Sequence, residues 1–173
     1  MTYASPPTLV QGVTFVLGGA RSGKSAYAEA LVTAHPPPWT YVATAQAFDA
    51  EMRTRIDTHR AARVPGWTTV EAPVELAEAL RASGPVLVDC LTLWLSNLML
   101  SERDIDAATA KLLRLLDRPN PTVLVSNEVG LGIVPDNALA RAFRDAAGRL
   151  HQAVAARADR VVFMAAGLPM VLK

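Results

Sequence analysis

The sequence predicts an α/β protein, a mostly parallel sheet with helices packed on its faces. Three observations predict it. Short apolar runs recur along the chain, and stretches with helical patterning separate them. The runs are apolar through most of their length, not at every second position, as strands buried on both faces are. The first run breaks into a glycine-rich turn that leads straight into a helical stretch.

The elements follow in order. Residues 1–12 read as a flexible lead-in, since Pro6-Pro7 has no N–H to offer a sheet. Val13 to Leu17 is the first strand and ends at Gly18-Gly19. Lys24 to Val32, rich in Ala, Glu and Leu, is the first helix. Pro36-Pro37-Pro38 is a rigid connector to the second strand, Trp39 to Thr44. Asp49 to Arg63 is a polar helix, and Val74 to Arg81 is a short one started by Pro73. Pro85 to Asp89 is a strand and Leu91 to Leu100 a strongly apolar helix. Asp104 to Leu116 sets Ile105, Leu112, Leu113 and Leu116 on one broad helical face. Thr122 to Ser126 is a strand, and Asp136 to Arg157 a long helix with Leu139, Phe143, Ala146, Leu150 and Val154 at helical spacing. Arg160 to Met164 is a strand, and Met170 to Leu172 pairs near the C-terminus. Residues 13–173 are read as one domain.

Composition excludes several functions. The chain has 173 residues, 51% hydrophobic and 19% charged, which is not the composition of a disordered protein. A domain of this length buries roughly 70% of its unfolded surface and needs no staple. Its 17 Lys+Arg balance 16 Asp+Glu to a net charge of +1, with no basic block. That argues against a nucleic-acid or anionic-membrane binder, which relies on clustered cations. One cysteine, Cys90, leaves no intrachain disulfide and no Cys-rich zinc site. The first residues have neither the basic nor the apolar region of a signal peptide. No apolar stretch approaches the ~18 residues of a bilayer span without a charge or a Pro/Gly break. A soluble, cytoplasmic protein is expected.

Gly18, Gly19, Ala20, Arg21, Ser22, Gly23, Lys24 and Ser25 fit G-x-x-x-x-G-K-[ST] between an apolar strand and a helix. Glycines permit backbone angles that aim successive N–H groups at an anion. The helix start adds its positive dipole end. Lys24 reaches the β- and γ-phosphates, and the Ser25 hydroxyl can ligate Mg²⁺. A carboxylate on the metal side is expected on a neighbouring strand. Asp89, at the C-terminal end of Val86-Leu87-Val88, can hold Mg²⁺ directly or through water. Glu128, after the strand ending Ser126-Asn127, is placed equivalently on the next strand. Arg21 can meet a γ-phosphate or a carboxylate such as Glu128.

A phosphate loop alone spans GTPases, small-molecule kinases and motors. The chain has no Asn/Thr-Lys-x-Asp guanine-reading motif and is short for a motor, so a small kinase fits its length. The Asp49–Arg63 helix sets Met52, Arg55, Ile56, His59 and Arg63 on one face. Arginines flank His59 a turn away on either side, a setting where phosphate charge can be neutralised while an imidazole nitrogen attacks. By chemistry alone, a helical histidine among charges is ordinarily a solvated surface residue.

From Phe15 to Lys173 the chain resembles the bifunctional adenosylcobinamide kinase / adenosylcobinamide-phosphate guanylyltransferase family of cobalamin biosynthesis. The residues that carry the resemblance are Gly18 to Ser25, Tyr41 to Gln46, and the Asp49-x-Glu-Met-x-x-Arg-Ile-x-x-His59-Arg60 block. Arg63, Trp67 to Pro73, Asp89 to Thr92 and Trp94 to Asn97 extend it. The Asn127 to Pro135 block follows, with Asn137, Leu139 to Arg141, Phe143 to Asp145 and Gly148-Arg149. The Asn-Glu-Val-Gly and Arg-Ile-x-x-His blocks are far more diagnostic than the phosphate loop.

The resemblance implies a RecA-like P-loop nucleoside triphosphate hydrolase fold, a homotrimer with sites near subunit interfaces, and a two-step enzyme. ATP or GTP phosphorylates the aminopropanol hydroxyl of adenosylcobinamide. GTP then transfers GMP to that phosphate through a guanylyl-histidine, giving adenosylcobinamide-GDP and pyrophosphate. It assigns the attacking histidine to His59 and nucleotide contacts to Gly18–Ser25, Ala43, Thr44, Ala45, Arg60, Ala61, Ala62, Arg63, Glu71 and Asp89. Mg²⁺ would sit on Ser25, with Asp89 or Glu128 nearby. The chain departs from some relatives in its N-terminal dozen residues and at Thr58, which can be a second histidine. The rival readings are another small-molecule P-loop kinase without a covalent intermediate, and a nucleotide-binding regulatory module without chemistry.

Other residues are expected to be structural. His35, before three prolines, and His151, on the long helix, read as surface residues, and Cys90 as a small buried hydrophobe. Trp67 and Trp94 read as core or subunit contacts. The Leu91–Leu100 run reads as core or interface.

Overall fold

A computed structural model describes residues 11–46 and 63–173. The expected helix over Asp49–Arg63, apart from Arg63 itself, lies outside the described residues, as do residues 1–10.

Among the described residues seven strands form one sheet: β1 (Val13–Gly18), β2 (Trp39–Ala43), β3 (Trp67–Glu71), β4 (Val86–Asp89), β5 (Thr122–Asn127), β6 (Arg160–Ala165) and β7 (Leu168–Val171). Their order is β3-β2-β4-β5-β1-β6-β7. All neighbours are parallel except β6 and β7, which pair as an antiparallel hairpin. The helices are α1 (Lys24–Thr33), α2 (Leu91–Leu100), α3 (Ile105–Leu115) and α4 (Ala138–Arg157).

Strand alternation sorts the core into two layers. Val16, Tyr41, Leu87, Val123 and Val125 pack on α1 through Tyr27, Ala28, Leu31 and Val32. Phe15, Val42, Val88 and Leu124 face the other way, onto Leu95, Leu98, Leu112 and Leu150 of α2, α3 and α4. The inner strands β1, β4 and β5 are buried on both faces, hence their continuous apolar runs. Asp104 caps α3 by accepting from the Ala107 N–H at 2.9 Å. Asn137 caps α4 by accepting from the Ala140 N–H at 2.7 Å.

The structure differs from expectation at five places. β3 is a strand that reads as none in the sequence. It lies at the sheet edge, and Trp67-Thr68-Thr69-Val70-Glu71 is half-buried, without an apolar run. The helix expected over Val74–Arg81 is reduced to a 3₁₀ turn, Ala79–Arg81. The carbonyls that would open that helix are taken by side chains: Trp94 Nε1 donates to Val74 O at 2.7 Å and Asn97 Nδ2 to Pro73 O at 2.9 Å. A short helix gains too little from propagation to offset its nucleation. His151 is buried, not on the surface, because Ala147, His151, Val154 and Ala158 form one inward stripe of α4 and its C-cap. His35 is half-buried, and its carbonyl accepts from Trp39 Nε1 at 2.8 Å. Asp89 does not neighbour the phosphate-loop strand, since β5 lies between β4 and β1.

Trp94 belongs to the core, as does most of α2. Among the described residues no helix is long and apolar enough to cross a membrane.

Candidate active site

The connections out of β1 and β5 diverge. The chain leaves β1 through α1 toward β2 on one side, and leaves β5 through α4 toward β6 on the other. Such a switch opens a crevice at the C-terminal strand ends. Gly18 to Ser25 lies there, at the end of β1 and the start of α1.

Local geometry explains the loop's glycines. Gly23 is the N-cap of α1 with φ +93°, a left-handed conformation that costs glycine nothing. A Cβ on Gly18 would meet Met164 O and Ser22 Oγ, each at 2.6 Å. Arg21 is exposed and takes φ 55°, unusual for a residue with a side chain. The β6–β7 hairpin braces the loop from behind: the Gly167 N–H donates to Ser22 O at 3.0 Å. That hairpin turns on Ala166 and Gly167, both at positive φ, which suits a tight two-residue turn.

Lys24 is 8% exposed and folds back over the loop, its Nζ donating to Gly19 O at 2.9 Å. Burial lowers its pKa, opposed by the Asp89 carboxylate and then by Cys90. Asp89 lies on the same side of the sheet as the loop's cation although a strand intervenes. Strand alternation is the reason: Leu87 and Asp89 point to the α1 side, where Lys24 begins its helix.

The Asp89 carboxylate is held. Tyr41 donates its hydroxyl to Asp89 Oδ2 at 2.9 Å. Burial and the adjacent carboxylate push the Tyr41 pKa well up, so this hydroxyl stays a donor. The Arg63 guanidinium lies over the Tyr41 ring, its Cζ 3.2 Å from the centroid. Arg63 also donates to Thr69 Oγ1 at 3.2 Å and sits 3.6 Å from Glu29. Ala43 ends β2 opposite Asp89, and Thr44 and Ala45 follow. Thr44 is fully buried: its hydroxyl donates to Cys90 O and accepts from Cys90 N–H, both at 2.8 Å. Glu71 ends β3 in an exposed position.

A second carboxylate stands beside the loop. The Glu128 N–H donates to Gly18 O at 3.0 Å, which continues the β5–β1 ladder to the loop's first residue. Glu128 Oε1 accepts from the Gly130 N–H, and Oε2 lies 3.7 Å from His151 Nδ1. His151 Nε2 is 2.8 Å from the buried Ser126 hydroxyl. Burial lowers the His151 pKa, partly offset by Glu128. The ring therefore favours its neutral form and lies beside the Glu128 carboxylate, which is hydrogen-bonded to the Gly130 N–H.

Between the two carboxylates, Asn127 Nδ2 donates to Thr92 Oγ1 at 3.0 Å, and Thr92 Oγ1 is 3.2 Å from Cys90 Sγ. The Cys90 thiol is pushed up by burial and by Asp89, so it is a neutral packing group, as its apolar setting implies.

The structure thus gathers Gly18–Ser25, Ala43–Ala45, Asp89 and Glu128 at one end of the sheet. His59, Arg60, Ala61 and Ala62 lie outside the described residues. Tyr41 and His151 are the site residues that sequence reasoning passes over. Both had a signal: a tyrosine in a buried strand needs a hydroxyl partner, and His151 falls on the helical stripe through Ala147 and Val154.

Comparison with known proteins agrees with this architecture. The flagellar accessory protein FlaH from Methanocaldococcus jannaschii is similar in fold, with a TM-score of 0.54 at 13% identity over 94% of this chain and 78% of that one. A Pyrococcus horikoshii protein, Project ID PH0250, gives 0.53 at 9% identity over 94% and 86%. Those likenesses concern the fold alone, a RecA-like P-loop fold. In sequence, the chain is 50% identical to the bifunctional adenosylcobalamin biosynthesis protein CobP of Pseudomonas aeruginosa, over 91% of this chain and 95% of that one. It is 40% identical to the CobU proteins of Salmonella typhimurium and Escherichia coli, each over 91% and 98%. The family model for cobinamide kinase / cobinamide phosphate guanyltransferase matches residues 14–172, and with the loop, both strand-end carboxylates and the sheet order in place, the chain belongs to that family.

Proposed function

We propose that the chain phosphorylates adenosylcobinamide with ATP or GTP at the Gly18–Ser25 loop and then guanylylates the product through His59. The observation that carries this reading is the loop itself, with Lys24 buried and folded back over it and Asp89 at the same end of the sheet. In the kinase step the substrate hydroxyl attacks the γ-phosphorus and gives up its proton to solvent. A new O–P bond forms, the bond to the β-bridging oxygen breaks, and the nucleoside diphosphate leaves. Lys24 and the N–H groups at the start of α1 would hold the phosphate oxygens. The donors near the loop are a hydroxyl (Ser25) and carboxylates (Asp89, Glu128), hard oxygens that suit Mg²⁺. When bound, Mg²⁺ would offset phosphate charge.

In the second step a His59 nitrogen attacks the α-phosphorus of GTP. An N–P bond forms and pyrophosphate leaves. A phosphate oxygen of adenosylcobinamide phosphate then attacks the same phosphorus, the N–P bond breaks, and adenosylcobinamide-GDP is released with the imidazole restored. Ala43 to Ala45, Arg60 to Arg63 and Glu71 would contact nucleotide. The chain would act as a homotrimer in the cytoplasm. The large exposed side chains of Leu131, Ile133 and Leu139 are of the kind that subunit contacts cover, which supports assembly.

The test is incubation of pure protein with adenosylcobinamide, GTP and Mg²⁺, with products read by mass. Adenosylcobinamide phosphate and adenosylcobinamide-GDP are expected. GTP labelled at the α-phosphorus should leave an acid-labile label on the wild type and none on His59→Ala, which keeps the kinase step. A phosphorylated product with no protein label would point to a kinase without the covalent intermediate. Bound GTP with no turnover would point to a regulatory module.

A further inference from the structure

We propose that Tyr41 is a positioning residue for phosphoryl transfer: its hydroxyl takes one oxygen of Asp89 and leaves the other for the metal side of a bound triphosphate. The inference rests on the reading of Asp89 as the metal-side carboxylate.

The argument begins with strand geometry. Tyr41 pairs with Leu87, and Ala43 with Asp89, in the parallel β2–β4 register. Tyr41, Leu87 and Asp89 therefore share the α1 face of the sheet, and the phenol is long enough to reach along the strand to the carboxylate. Among the described residues, the Tyr41 hydroxyl makes the only hydrogen bond to that carboxylate. A carboxylate with one bonded oxygen loses rotational freedom but keeps acceptor capacity on the other.

The phenol is itself fixed. Tyr41 is 7% exposed. The Arg63 guanidinium covers one ring face at 3.2 Å, and Trp67 meets the ring edge-on with centroids 5.9 Å apart. Trp67 packs in turn on Trp39 at 5.5 Å. A phenylalanine would fill this pocket and keep every one of these ring contacts. What it would lose is the one bond to Asp89. Pure packing therefore does not account for the hydroxyl, whereas orientation of a reactive-site carboxylate does. Small misplacements of such groups are costly, of the order of 10²-fold in rate for about 1 Å.

The experiment compares wild type, Tyr41→Phe and Asp89→Asn. Melting temperature reports the fold. Electron paramagnetic resonance with Mn²⁺ and a non-hydrolysable triphosphate reports metal affinity in the bound complex, separately from turnover. Kinase kcat, nucleotide KM and Mg²⁺ dependence complete the set. For Tyr41→Phe the expected result is a near-wild-type melting temperature and nucleotide KM. Mn²⁺ affinity should weaken about three- to tenfold, and kcat should fall about tenfold and recover partly at high Mg²⁺. Asp89→Asn should lose more of both. Wild-type Mn²⁺ affinity and kcat in Tyr41→Phe, beside an impaired Asp89→Asn, would overturn the inference and leave the reading of Asp89 standing. A lowered melting temperature with unchanged Mn²⁺ affinity would equally reduce Tyr41 to packing. Wild-type behaviour of Asp89→Asn would bring down the reading of Asp89 and the inference with it.

Discussion

Lys24 is a residue whose burial makes sense only with its ligand. An ammonium at 8% exposure bears a desolvation penalty, relieved by one carbonyl bond and the field of Asp89. Lys24→Ala should therefore leave the melting temperature nearly unchanged. It should weaken triphosphate binding and lower kinase kcat/KM by about 10²-fold or more, as measured by steady-state kinetics. His151 behaves differently. Its folded pKa lies below the ordinary 6.5 because burial disfavours the cation. Protonation thus favours the unfolded chain. The stability it contributes is full above pH 6.5 and is lost as pH falls from there toward the lowered folded value, below which the loss levels off. Thermal melts of the nucleotide-free protein between about pH 7.5 and 5 should show this slope, and His151→Asn should flatten it.

At the scale of elements, the phosphate loop is a joint between β1, α1 and the β6–β7 hairpin. Gly18 is its tightest point, because a Cβ there would press on the Met164 carbonyl, a backbone atom with little room to move. Gly18→Ala should cost about 1–3 kcal/mol in chemical denaturation and depress nucleotide binding further, since the loop must shift to make space. The start of α4 offers a control away from the loop. Asn137→Ala removes the bond to the Ala140 N–H and should cost about 1 kcal/mol. Elements also mark where patterning is readable. The Leu91–Leu100 helix was legible to the residue, since its apolar character persists over ten positions. The Trp67–Glu71 strand was not, because an edge strand needs no continuous apolar run. The shortening of the Val74–Arg81 helix to a turn at Ala79–Arg81 was not either, because the Pro73 and Val74 carbonyls at its start are claimed by Asn97 and Trp94 from a helix some twenty residues on.

For the whole molecule, one sheet carries two apolar layers, and β5 lies at its centre between β4 and β1. Leu124 is fully buried on that strand. Leu124→Ala should cost about 2–5 kcal/mol in denaturant melts and lower both activities together, without a split between them. Farther out, Arg118 ties the Ala82–Gly84 connection to the start of β5 by donating to Ala82 O, Gly84 O and Thr122 Oγ1. These bonds fix the N-terminal edge of the sheet, opposite the loop. In solution, light scattering should give a mass three times that of the chain if the proposed trimer forms.

The sequence alone determined the α/β class, the phosphate loop and the strand-end acids. Those features are local: a buried strand must be apolar, and an anion cradle must have glycines followed by Lys and Ser. Tertiary structure alone decided which acid stands next to the loop and what surrounds each one. Glu128 follows the strand beside β1 and lies near His151, whereas Asp89 stands one strand away and is held by Tyr41. The physical reason is that strand order and helix facing depend on how the two apolar layers close over the sheet, and residues 41 and 89, or 128 and 151, become neighbours only after they do.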